Sequence, residues 1–481
     1  MTAAFSSRIR IFLGLVLASA LLVGTAKAQD LLRDDAPDDW LIENATILTV
    51  SNGTIEGGDI LIEDGVIAEV GEDLSAPGEV ETYDASGKYV MPGLIDAHQH
   101  FAISSVNEAT NPVTAEVNPG DVLNPFDIGM YRGLAGGLTT AHLMHGSANP
   151  IGGENQTVKL RYGHIDPDDL RFEDAPRTIK FALGENPTGA YGESRGVQPR
   201  TRMGVEQVIR EALTEAERYD AKRQDYEAGE RAYPPEHSER MEVLADILNG
   251  EIIVHAHSYR ADEILMLMDV MEDFEVEDLV FQHVNEGFKV APELADFGAG
   301  ASIFTDRWSY KFEVYYSTAY NAAILAENGV RTSVNTDIPG DQRDLFHQAA
   351  KAQRYGDLSD NETLALITLN PAHQLGIEDR VGSIEEGKDA DLAVFDNHPL
   401  SIYAKPQRTY VDGIVRFDHE DDPDDMRLRV DPEGTPVPTM NDHGHSHGAH
   451  GHAHDAHSAD GNEETYLEAT DEGVFLRHDA D

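Results

Sequence analysis

Between Met91 and about residue 381, apolar runs of strand length alternate with amphipathic helical stretches. The runs include LTTAHLMH, TVKLR, TIKFALG, EIIVHAH, LVFQHV, ASIFTD and VRTSVNTD. Val205, Val208, Ile209, Ala212 and Ala216 recur at helical spacing and predict a helix over about 203–225. A second helix is predicted over about 237–248, stopping at Asn249-Gly250. Such alternation over about 300 residues points to parallel strands with outer helices. An open doubly wound sheet is the competing arrangement, but no G-x-G-x-x-G loop follows the first strand. The predicted class is α/β, with a (β/α)8 TIM-like barrel over 91–381.

The flanks read differently. Residues 38–90 alternate apolar and polar positions between the turn signals Asn52-Gly53, Gly57-Gly58, Asp64-Gly65 and Ser86-Gly87. The same pattern returns over 382–432, in GSIEEGKDADLAVFD and RTYVDGIVRF. A small composite β-sandwich built from both chain ends is predicted, with the barrel inserted between. Residues 433–481 form an acidic, low-complexity tail, expected to be disordered, with seven histidines from His443 to His457. At the other end, Arg8 and Arg10 precede an apolar run from Ile11 to Val23, and Ala26-Lys27-Ala28 supplies an A-x-A site. Residues 1–28 are therefore read as a signal peptide, and the mature protein as periplasmic or secreted, with no stable membrane insertion after signal removal.

Composition narrows the chemistry. Lys and Arg number 36 against 88 Asp and Glu, a formal net charge of −52. That excess argues against nucleic acid and anionic lipid as partners, leaving a small-molecule substrate. There is no cysteine, so disulfides, thiolate nucleophiles and Cys-based zinc sites are excluded. Any metal site must use His, carboxylate or a modified Lys.

VMPGLIDAHQH reads as a buried strand ending in H-x-H. Residues i and i+2 of a strand face one way, so His98 and His100 project together at the end where barrel enzymes place their chemistry. IIVHAH ends with His255 and His257, LVFQHV with His283, and VRTSVNTD with Asp337. Each apolar run terminates in a residue type that binds divalent metals.

This pattern resembles the amidohydrolase superfamily of metal-dependent hydrolases, near its imidazolonepropionase-like and prolidase-like members. PGLIDAHQH resembles the first-strand signature, GGLTTAH the second strand, and TLNPAHQLGIEDRVGSIEEGKDADLAVFD the return into the sandwich. The resemblance spans about residues 40–430. It implies one or two divalent ions, zinc foremost, held by His98, His100, His255, His283 and Asp337. The fourth-strand ligand is Lys180, carbamylated if two ions are bound, with Lys159 as its competitor and Glu185 as a possible contributor. His257 is read as a catalytic residue in contact with substrate or as an alternative ligand. Tyr259, Arg260 and Asn149 are candidate substrate contacts; Arg202, Asp306 and Arg307 are weaker ones, more often structural. The implied reaction is attack of metal-activated water on a carbonyl or imine carbon, with Asp337 as general base and proton carrier to the leaving nitrogen. The expected function is hydrolysis of a C–N bond in an amide, cyclic amide or dipeptide. An ester or lactone hydrolase at the same site, and a non-catalytic extracytoplasmic metal-binding protein, are the alternatives. The histidine tail is expected to bind further metal.

Overall fold

A computed structural model describes residues 39–420, apart from Pro77 and Glu79, together with the strand segments 467–470 and 473–476. The expected signal peptide and the His443–His457 run lie outside the described residues.

Both chain ends contribute to one eight-stranded sheet. Its N-terminal strands are β1 (Trp40–Leu48), β2 (Thr54–Glu63), β3 (Val66–Gly71), β4 (Glu81–Asp84) and β5 (Tyr89–Pro92). After β5 the chain leaves through the nine central strands: β6 (Leu94–Gln99), β7 (Leu138–Leu143), β8 (Ile151–Glu154), β9 (Gln156–Lys159), β10 (Arg177–Ala182), β11 (Ile252–Ser258), β12 (Leu279–His283), β13 (Gly300–Ile303) and β14 (Thr332–Val334). It returns with β15 (Leu392–Phe395), β16 (Pro406–Val411) and β17 (Ile414–Asp418). The sheet order is β17-β16-β15-β5-β1-β2-β3, with β4 beside β1. The seam joining the two ends is the antiparallel β5–β15 pair, where Val90 faces Val394 and Met91 faces Ala393. Period-two alternation divides the faces. Leu392 and Val394 pack with Ile42, Ile47, Ile60 and Val90 in a small core. Ala393, Phe395 and Met91 belong instead to the large core of the central sheets. The sheet is thus anchored to the site-bearing part of the chain.

The central strands form two sheets, one of order β14-β13-β12-β11-β10-β8 and one of order β6-β7-β9. β10 through β14 pair in parallel, as do β6 and β7. Helices intervene as the alternation predicts, including Arg202–Glu227 and Glu239–Leu248, which start at the side-chain caps of Thr201 and Ser238. One departure from an all-parallel set concerns β8 and β9. β9 runs antiparallel to β7, and β8 antiparallel to β10. The link from β7 to β8, residues 144–150, is far shorter than the dozen or so residues a parallel crossover needs, so the chain turns back. The two sheets also meet on their other side, beyond β14: the Asp337 N–H donates to the His98 carbonyl oxygen at 2.9 Å.

The segments Leu467–Thr470 and Gly473–Leu476 pair antiparallel, with Leu467 opposite Leu476. The tail was expected to lack regular structure from its composition. This stretch departs from that composition, carrying YLEAT and GVFL around Asp471-Glu472.

Candidate metal centre

Three ligand-type atoms converge at the C-terminal ends of the strands. Nε2 of His98 and Nε2 of His100 are 3.2 Å apart, and Oδ1 of Asp337 lies 3.4 Å and 3.2 Å from them. The two histidines come from the end of β6, where the H-x-H spacing turns both inward. Asp337 follows β14 with a φ of +61°, a left-handed conformation that swings its carboxylate over the rim. Asp96 braces the arrangement from below. Fully buried, it accepts from the backbone N–H groups of His98 and Thr336, each at 3.2 Å, and from the Thr336 hydroxyl at 2.5 Å. It thereby ties the first ligand strand to the segment carrying Asp337.

The hydrogen bonds show which nitrogens face the triangle. Nδ1 of His100 donates to the Met144 carbonyl oxygen at 2.9 Å, leaving its Nε2 as a lone pair. Nε2 of His98 faces Nζ of Lys180 at 2.9 Å. Two imidazole nitrogens and a carboxylate oxygen within 3.4 Å of one another, with Nζ of Lys180 beside them, form a donor set of the kind that binds divalent metals. His255, His257 and His283 are buried, and Nε2 of the first two and Nδ1 of the third have no hydrogen-bond partner among the described residues. Orphaned buried nitrogens beside such a triangle fit a metal site. Burial holds His98, His257 and His283 well below the ordinary imidazole pKa, so these rings are neutral, as ligands must be.

The rings order the remaining histidines. His283 lies 4.7 Å from His98 and 4.7 Å from His257, between centroids. Its φ of +72°, followed by +47° at the β-branched Val284, is a backbone outlier at the strand end. His255 sits elsewhere, 4.6 Å from His142 and bonded through Nδ1 to the Gln282 amide.

Lys180 is wholly buried, and burial pushes its ammonium down to about 7, against the opposing pull of Asp337. Lys159 is also wholly buried but lies outside the cluster. Its Nζ is 2.6 Å from Asp389, 3.1 Å from Asp391 and 2.5 Å from Asp412. It fastens β9 to the residues flanking β15 and β16, whereas Nζ of Lys180 lies beside His98.

Among the other candidates, Tyr259 is part of the wall. It stacks on His283 at 5.4 Å and accepts a hydrogen bond from the Tyr310 hydroxyl at 2.9 Å. Lys311 lies 4.2 Å over the Tyr259 ring and 2.8 Å from Oδ1 of Asn186. Glu185 is 3.6 Å from Lys311 at this rim. Asn149 donates to the carbonyls of Glu108 and Asn111 and braces a loop. Arg260 pairs with Asp262, Arg202 with Glu263 and Glu313, Asp306 with Lys351, and Arg307 with Asp341. Gln282, Tyr310 and Lys311 had not been singled out. A glutamine inside the apolar run LVFQHV is the one signal that could have found Gln282, since a polar side chain there must be satisfied internally.

The sequence pattern of the amidohydrolase family matches residues 314–417, which include Asp337. Over 395 residues the chain is 32% identical to the amidohydrolase tasK of Hapsidospora irregularis, covering 75% of this chain and 40% of that protein's length. A crystal structure of an amidohydrolase from Thermotoga maritima MSB8 superposes with a TM-score of 0.73 at 35% identity, covering 79% of this chain and 100% of that one. The chain belongs to the amidohydrolase family. An imidazolonepropionase of Brevibacillus brevis is 26% identical over 370 residues, covering 71% of this chain and 84% of its own. This amidohydrolase thus has the mixed α/β fold of a superfamily of hydrolases, with its convergent His, Lys and Asp side chains at the strand ends.

Proposed function

We propose that this amidohydrolase is an exported, metal-dependent hydrolase that cleaves a C–N bond in an amide, cyclic amide or dipeptide. The convergence of His98, His100 and Asp337 beside the depressed ammonium of Lys180 carries the reading. We read the two central sheets as one (β/α)8 barrel with an antiparallel third stave, and the both-ends sheet as its composite β-sandwich domain. His98, His100 and Asp337 would hold a divalent ion, zinc foremost, with His257 and His283 completing the site and Lys180, as its carbamate, bridging to a second ion. On ring contacts, His257 rather than His255 takes the fifth-strand position. A divalent ion held there would supply Lewis acidity and water activation.

The protein's own groups then divide the work. Asp337 accepts the proton of the attacking water and delivers it to the leaving nitrogen. Tyr259 takes a hydrogen bond from Tyr310, so its own proton is available to a substrate oxygen on which charge develops. The aromatic wall of Tyr259 and Phe304 on either side of His283 excludes water. In this reading the His443–His457 run is an additional metal-binding segment. Among the described residues no helix is long and apolar enough to cross a membrane. The test is a screen of N-acyl amino acids, dipeptides and cyclic amides, with and without a chelator. Chelator-sensitive release of an amine supports the proposal, and turnover confined to esters or lactones would overturn the C–N assignment.

A further inference from the structure

Beneath the converging side chains lies a second layer of buried polar groups that the proposed reaction does not use. Gln282 is wholly buried between two histidines. Its Oε1 is 3.0 Å from Nδ1 of His98, and its Nε2 is 2.9 Å from Nδ1 of His255. An amide has one accepting end and one donating end, so each contact dictates the other. On the metal-site reading His98 ligates through Nε2, which puts its proton on Nδ1. Gln282 must therefore present Oε1 to His98. Its NH2 then faces His255, whose Nδ1 must carry the lone pair and whose Nε2, with no hydrogen-bond partner among the described residues, must carry the proton. With the amide reversed, His98 would accept at Nδ1 and turn an N–H, rather than a lone pair, toward Asp337.

We propose that His255 is a positioning residue, not a metal ligand. Acting through Gln282, it holds His98 in the Nδ1–H tautomer and keeps the Nε2 lone pair directed at the metal. The inference rests on the metal-site reading above. The surroundings of His255 support it. The β10–β11 register pairs Lys180 with His255 and Ala182 with His257, so His257 stands two residues closer to the rim. His255 packs on His142, whose Nδ1 and Nε2 are engaged by the Ala97 carbonyl at 3.2 Å and the Thr178 hydroxyl at 2.7 Å. A metal-bound imidazole commonly donates its other N–H to a carbonyl or carboxylate acceptor. Here the acceptor is an amide, which can flip, so a second group is needed to hold it. A carboxylate, with two accepting oxygens, would need none.

That difference supplies the test. Zinc affinity of the chelator-stripped full chain is measured by competition with a chromophoric chelator for the parent, His255→Leu, Gln282→Glu and the double variant. His255→Leu should weaken zinc binding by about 10–100-fold in the parent, and by no more than about 3-fold beside Gln282→Glu. Equal losses in both backgrounds, or loss of a bound zinc equivalent with His255→Leu, would overturn the proposal. If the parent binds no zinc, the metal-site reading fails with it. Nitrogen-15 spectra of histidine-labelled, metal-free parent protein need no variant. They should show His98 protonated at Nδ1 and His255 at Nε2, and the opposite tautomer at either ring contradicts the relay.

Discussion

The Nζ of Lys180 lies 2.9 Å from Nε2 of His98, and both side chains are buried. An ammonium there would repel a divalent ion at the neighbouring nitrogens. Burial lowers its pKa to about 7, so near neutrality a share of the molecules carries a free amine able to add CO2. The protein incubated with carbon-13 bicarbonate should give a carbamate signal that Lys180→Met lacks. The same variant should lose turnover by roughly two orders of magnitude. An unchanged carbon-13 spectrum in Lys180→Met would remove Lys180 from the site.

Asp337 offers a separation of binding from chemistry. Asp337→Asn keeps an oxygen near His98 and His100 but cannot take a proton from water. Turnover should fall by about 10²–10⁴-fold while most of the metal is retained, as read by elemental analysis alongside kinetics. Full activity in this variant would exclude Asp337 as the base.

Lys159 should matter to stability and not to chemistry. Replacing it with Met leaves the buried carboxylates of Asp389 and Asp391 without their shared cation. The expected loss is about 3–5 kcal/mol in urea unfolding, with kcat per folded molecule unchanged. A variant of parental stability would show that these carboxylates find other partners.

The balance between sequence and structure is uneven in an instructive way. The closeness of His98, His100 and Asp337 was legible because each stands at the end of an apolar run, and a polar residue closing a buried strand has few places to go. That both chain ends build one sheet was readable from their alternation, whereas the β5–β15 seam was not. Lys180 and Lys159 could not be separated, because both follow apolar residues in strands and only the partners of their ammonium groups distinguish them. His255 and His257 both face inward on one strand, and which of them stands level with His98 and His283 depends on the stagger between strands. The antiparallel course of β8 and β9 follows from a short link whose significance appears only once β7 is known to end at Leu143.

Acid should weaken the metal-free protein through His145. Its Nδ1 donates to the Gly146 carbonyl oxygen and its Nε2 accepts from the Glu108 N–H, both at 2.9 Å, and burial lowers its pKa to about 4. His142 is likewise lowered by burial, to about 3. Between these values and the ordinary 6.5 the unfolded chain binds protons that the native chain refuses. Stability is therefore complete above about pH 6.5 and is lost as pH falls toward 4. Thermal melts of metal-free protein at stepped pH should show this decline, made shallower by His145→Asn. Melting temperatures flat from pH 7 to 5 in the parent would contradict it.

The central claim is that His98, His100 and Asp337 gather around a divalent ion. The most direct test is the melting temperature of chelator-stripped full-length protein across a zinc titration, beside a His98→Ala/His100→Ala variant. Binding at one strong site should raise parental stability by about 4 kcal/mol once zinc reaches a thousand times its Kd. The double variant should lose that strong-site component, leaving at most the weaker binding of the histidine tail. A zinc response identical in the two proteins would contradict the account.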